Sequence, residues 1–132
     1  MIGWILAVLA LFVVQTLLPN AARAASRDPL QVAWLKGNRD DPPPATPMAA
    51  RMERALVNMF EALVVFLPLA VLAVALDRAG GWVAIGAAVF FVARVVYVPA
   101  YASGHARLRS LVWGIGHAGL GMMVAGLLAA PG

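Results

Sequence analysis

Arg51, Arg54, Asn58 and Glu61 stand at the mouth of an apolar run, 62–76, at spacings i, i+3, i+7 and i+10. In a helix that spacing gathers them on one stripe. A carboxylate carried about two turns into an apolar span destabilises the protein unless it is paired or used, so this stripe is where chemistry is expected first. A second set repeats the geometry: Arg94, Tyr97 and Tyr101 fall at i, i+3 and i+7 within another apolar run. The chain has no cysteine, so it can build no disulfide, no protein thiol nucleophile and no cysteine-ligated metal site. Any thiol chemistry would have to use a thiol carried by a ligand.

The elements that must hold these side chains follow from composition. Of 132 residues, 63% are hydrophobic and 12% charged, more apolar surface than a soluble domain of this size buries, so lipid must act as part of the solvent. Gaps between charges mark four spans, at 1–22, 48–76, 81–102 and 108–130, each near the roughly 20 residues a helix needs to cross the hydrocarbon core. The expected fold is all-α, a polytopic membrane protein built as a four-helix bundle in a single domain over 1–132. The small residues after the first span resemble a signal-peptide cleavage site. However, no Lys or Arg precedes that span and its apolar stretch is long, so it is expected to stay as a transmembrane helix. The segment 26–47 carries six charges and ends in Pro42, Pro43 and Pro44, which predicts a polar loop, extended and stiff at its end. Residues 77–80 should form a tight hairpin with a glycine stop, and 103–107 a second short connection.

Arg23, Arg27, Lys36, Arg39, Arg51, Arg54, Arg107 and Arg109 fall on the face shared by the first and third loops, and Arg78 alone on the other. The positive-inside rule makes the first face cytoplasmic and puts both termini opposite it. The same clustering beside apolar spans argues against nucleic acid as the partner of the net charge of +4. Measured from that face at 1.5 Å per residue, Glu61 lies about 15 Å deep and Arg94 and His117 about 12 Å each. Glu61 and Arg94 are therefore expected to meet, because either charge alone in lipid would be costly. Each of these residues also has a purely structural explanation. Glu61 and Arg94 could be an internal ion pair, His117 a hydrogen-bonded core residue, Asn58 a helix-to-helix hydrogen-bonder, and the tyrosines interfacial anchors. Pro68 and Pro99 each deprive the carbonyl four residues earlier of its helical partner.

With these residues in view, the chain resembles the membrane-associated proteins in eicosanoid and glutathione metabolism, the MAPEG family. The resemblance is carried by Arg54-Ala55-Leu56-Val57-Asn58-Met59-Phe60-Glu61 on the second span, with Arg51 before it. Arg94-Val95-Val96-Tyr97-Val98-Pro99-Ala100-Tyr101 on the third and Leu108-Arg109-Ser110 on the fourth complete it. It extends to the number of spans and to the long polar loop after the first, and within the family it is similar to a bacterial branch without assigned activity. Two positions depart from many members: Val57, where some carry a basic residue, and Val64, where a proline often follows the glutamate.

The resemblance implies a homotrimer in a bacterial inner membrane, with glutathione bound between subunits near the cytoplasmic face. It implies that Arg51, Arg54 and Arg94 meet carboxylates of the tripeptide and that Glu61 meets its amine. Asn58, Tyr97, Tyr101 and Ser110 would complete that site, and Arg109, or alternatively Arg107, would activate the thiol. No metal is required. Two functions follow. One is a glutathione-dependent transferase or peroxidase acting on lipophilic electrophiles that enter from the bilayer. The other is a non-catalytic scaffold or accessory subunit using the same stripe. The small-residue run 114–121 would let the fourth span approach another helix closely in either case. A transporter is disfavoured, since four spans in a tight bundle leave little room for an aqueous path.

Overall fold

The computed structural model describes residues 1–129, and Ala130, the last residue of the predicted fourth span, lies outside the described residues. Five helices follow one another: α1 (Ile2–Ala25), α2 (Pro29–Lys36), α3 (Pro47–Ala75), α4 (Gly81–Ala102) and α5 (Ala106–Leu128). α1, α3, α4 and α5 are long and apolar enough to cross a membrane. Large apolar side chains such as Val64 and Leu128 stand 74% and 79% exposed on their outer surface, which only lipid would cover favourably.

The polar segment between α1 and α3 is not the loop throughout that its composition predicts, because α2 lies inside it; its proline end, 42–46, has no regular structure. Asp28 caps that helix by accepting from the Leu30 amide at 2.9 Å, Pro29 opens it, and Gly37 ends it. α2 is tied down by Gln31, which accepts from Arg23 Nη1 at 2.6 Å and donates to the Pro44 carbonyl at 2.7 Å. Arg23 Nη2 completes the tie by pairing with Glu53 of α3 at 3.0 Å. α3 starts where Thr46 accepts from the Ala49 amide at 3.2 Å.

The α3–α4 hairpin also differs from expectation in its stop residue. Asp77, with φ of 55°, takes the left-handed position, and the Arg78 amide donates to the Ala73 carbonyl at 2.8 Å while the Asp77 amide donates to Val74 at 3.2 Å. That is a Schellman closure with an aspartate in the place glycine usually fills. Arg78 then reaches the end of α5, its Nη1 donating to the Leu127 carbonyl at 2.5 Å.

α4 and α5 make the tightest helix pair. A Cβ on Gly86 would lie 2.5 Å from the Gly119 carbonyl oxygen, and one on Gly119 would lie 2.7 Å from that of Gly86. Only hydrogen fits at that crossing, so the small-residue stripe of α5 is used against α4. The core beneath it holds Val8, Met59, Phe66, Phe90 and Met123, all fully buried, with the Phe66 and Phe90 rings stacked at 4.7 Å. This packing fixes the rotation of α3, α4 and α5 and thereby decides which side chains face one another at the other end of the bundle.

Candidate functional site

Where α3, α4 and α5 diverge toward the end of the bundle that carries the 103–107 connection, they enclose a crevice of about 650 Å³. α3 contributes Arg54, Val57, Asn58 and Glu61; α4 contributes Tyr97 and Tyr101; α5 contributes Arg109, Ser110, Trp113 and Gly114. Seven of the nine site residues expected from spacing and from the family resemblance therefore share one wall system. Arg51 and Arg94 are the two that do not line it.

Tyr101 is the hub. Arg54 Nε donates to its hydroxyl at 3.2 Å and the Arg54 guanidinium lies 5.8 Å from the ring centre. The Arg109 guanidinium lies 5.2 Å from the same ring. An electron-rich ring thus holds two cations in place without neutralising either. Tyr97 packs edge-on against Tyr101 at 5.6 Å and is only 4% exposed, so it is turned into the bundle and does not serve as an interfacial anchor. Arg109 borders the crevice while Arg107 is exposed and does not line it.

The expected pairing of Glu61 with Arg94 does not form. Arg94 Nη1 donates to Asn58 Oδ1 at 2.7 Å, and Asn58 Nδ2 donates to Glu61 Oε2 at 3.3 Å. An amide has both an acceptor and donors, so Asn58 can stand between guanidinium and carboxylate and satisfy one atom of each. Glu61 remains exposed toward the crevice. Arg94 is 1% exposed, lies 5.0 Å from the Tyr97 ring, and keeps Nε and Nη2 without a hydrogen-bond partner among the described residues. It supports the crevice from behind instead of lining it.

Arg51 turns away as well. Its Nη1 donates to the Ala102 carbonyl at 2.9 Å, satisfying an acceptor at the end of α4, and it lines a second, smaller cavity. Arg51 lies within about 20° of Asn58 around α3, so its diversion comes from the Ala102 carbonyl within its reach and not from helical register. His117 reaches neither Arg94 nor Glu61: its Nδ1 lies 3.0 Å from the Trp113 carbonyl oxygen and its ring packs on the Trp113 indole at 3.8 Å.

Val57, Trp113 and Gly114 line the crevice without having been singled out as site residues. Trp113 follows Arg109 by four residues, a spacing that puts both on one helix face and could have identified it. Gly114 gave no such signal; a Cβ there would touch nothing within 4 Å, so this glycine leaves space in the crevice and serves no packing need.

The crevice carries both signs of charge, with Arg54 and Arg109 gathered at Tyr101 and Glu61 two turns further along α3 beside Asn58. Its guanidiniums can donate to anionic groups and its carboxylate can accept from a cationic one. A sequence model of the MAPEG family matches residues 1–129 of the chain. No curated protein and no solved structure matches it.

Proposed function

The chain belongs to the MAPEG family, and from that premise we propose that it is a glutathione-dependent transferase or peroxidase whose second substrate is a lipophilic electrophile drawn from the bilayer. The observation that carries this reading is the convergence of Arg54, Asn58, Glu61, Tyr97, Tyr101, Arg109 and Ser110 on one crevice from three helices. Arg54 offers a forked donor to a tripeptide carboxylate, and Glu61 accepts from the α-amine. Asn58 orients that carboxylate. Arg109 supplies positive charge where the sulfur is expected, which favours thiolate over thiol, and the thiolate is the nucleophile. It attacks the electrophilic carbon to form a carbon–sulfur bond, and the displaced group leaves with its electron pair. Arg51 and Arg94 act indirectly, Arg51 by holding the end of α4 and Arg94 by fixing Asn58.

The face bearing eight of the nine loop-side and helix-end positive residues is the cytoplasmic one in this reading, with both termini opposite. Each positive residue near an anionic leaflet contributes about 1 kcal/mol to that orientation. The membrane is a bacterial inner membrane, and a homotrimer closes the crevice, which is open on one side in a single chain.

A non-catalytic member of the family would use the same cluster as structural glue between helices. That reading expects Glu61 to be neutralised by Arg94, and a Glu61 carboxylate bonded to the Asn58 amide instead weighs against it. Calorimetric titration of the lipid-reconstituted protein with glutathione tests the proposal. Saturable binding is expected, weakened at least tenfold by Arg54→Ala, a change of about 1.4 kcal/mol. Absence of saturable binding in the wild type would leave the scaffold reading in possession of these residues.

A further inference from the structure

Behind the wall formed by Arg54, Tyr101 and Arg109 lies a second cavity of about 180 Å³, completed by Arg51, Ala100, Gly104, His105 and Ala106. Its charged lining consists of three guanidiniums, with an imidazole at the rim and no carboxylate. Among the described residues the one salt bridge is Arg23 to Glu53, so none of these three arginines has an acidic partner. Like charges gathered around a shared cavity repel unless an anion sits between them. The backbone accommodates the cluster: Gly104 has φ of 77°, and a Cβ on it would lie 2.9 Å from Arg51 Nη2, so a larger residue would press on the guanidinium. With Nη1 committed to the Ala102 carbonyl, Arg51 still has its second nitrogen available at that position.

The level of the cavity narrows the ligand. α4 ends at Ala102 and α5 begins at Ala106, so the cavity lies where two spans leave the hydrocarbon, at the depth of phospholipid head groups. Arginine forks match the oxygens of a phosphate better than any other common anion at this depth, and basic pockets between transmembrane helices are established ways of holding phosphorylated head groups. The volume equals roughly six water molecules, enough for a tetrahedral oxyanion and too little for a peptide.

We propose that Arg51, Arg54, Arg109 and His105 form a phosphate-binding site, separate from the crevice and sharing its arginine wall. The site takes an anionic phosphate group, from a lipid head group or from solution. Because Arg54 and Arg109 face both cavities, occupancy here adjusts the charge available to the crevice. The site does not require glutathione, so it stands or falls apart from the function proposed above.

The test uses the full chain in detergent with two probes, phosphatidic acid against phosphatidylcholine by native mass spectrometry, and inorganic phosphate by calorimetry. His105→Asp is the informative variant. His105 is the N-cap residue of α5 and makes no side-chain capping bond, whereas aspartate is a preferred cap there. The substitution should keep or raise the melting temperature while putting a negative charge at the cavity rim. The wild type is expected to retain phosphatidic acid at least tenfold over phosphatidylcholine, or to bind inorganic phosphate saturably. The first result identifies a head group as the source, the second a soluble phosphate. His105→Asp should lose that binding at least tenfold, and the double variant Arg27→Gln, Lys36→Gln, in the polar segment, should not. Three results would each overturn the proposal: neither probe binding selectively, His105→Asp binding as the wild type does, or the polar-segment variant losing as much.

Discussion

Arg23, near the end of α1, is 6% exposed and Arg94, midway along α4, is 1% exposed, but their surroundings differ in kind. Arg23 is the better supplied. It donates to Gln31, to the Pro43 carbonyl at 3.2 Å and to Glu53, and it lies 4.9 Å from the Trp34 ring. Arg94 makes one hydrogen bond, to Asn58, and meets the faces of Phe90 and Tyr97. A guanidinium has five donors, so the first arrangement uses the charge as a structural clip and the second leaves it underused. The better-supplied arginine joins α1, α2 and α3, away from the crevice. The undersupplied one stands directly behind the crevice and orients a residue that lines it. The better-supplied guanidinium joins three helices, and the shortfall lies behind the crevice.

The comparison breaks most visibly on the structural side. Arg23→Met should lower stability by about 3 kcal/mol, the low end for breaking a buried pair, because Glu53 is 45% exposed and can recover water. Thermal melting of the solubilised protein followed by circular dichroism reads this loss, and glutathione binding by the remaining folded protein should be unaffected. A melting temperature equal to that of the wild type would show that the clip around Arg23 contributes nothing.

Arg94→Met should act in the opposite sense. Replacing a poorly compensated buried charge with an apolar chain of similar length is often neutral or stabilising, so melting should be unchanged or raised. The smaller effect falls on binding. Without Arg94, Asn58 loses its anchor and Glu61 its orientation, and glutathione affinity should fall about tenfold, or about 1.4 kcal/mol. If Arg94→Met melts lower than Arg23→Met while binding glutathione normally, the assignment of the two arginines is inverted.

The gaps between charges located all four membrane helices, because lipid tolerates few charges and each interruption had to be a connection. α2 was hidden by the overall polarity of its segment, although Asp28, Pro29 and Gly37 are start and stop signals that a closer local reading would have used. Helical spacing also found most of the crevice, since Arg54, Asn58 and Glu61 on α3 and Tyr97 and Tyr101 on α4 keep to single faces. Depth arithmetic was less informative. It put Glu61, Arg94 and His117 at one level but could not give direction around the helix axis. That direction comes from the Gly86–Gly119 crossing and the Phe66–Phe90 stack. His117 keeps to the face of α5 that bears Trp113 and Gly114, but it lies a turn beyond Trp113 and packs on that indole, so it does not line the crevice. The diversion of Arg51 to the Ala102 carbonyl is likewise a meeting of distant chain segments that local spacing cannot show.

The central claim is that Arg109 turns a bound thiol into a nucleophile, and ultraviolet thiolate absorbance of glutathione added to the lipid-reconstituted protein tests it most directly. The wild type should show thiolate at neutral pH, and Arg109→Ala should show at least tenfold less, corresponding to one pKa unit or about 1.4 kcal/mol. Glutathione binding should persist in that variant through Arg54, Asn58 and Glu61. Equal thiolate formation in wild type and Arg109→Ala, or none in the wild type despite saturable binding, would contradict the account.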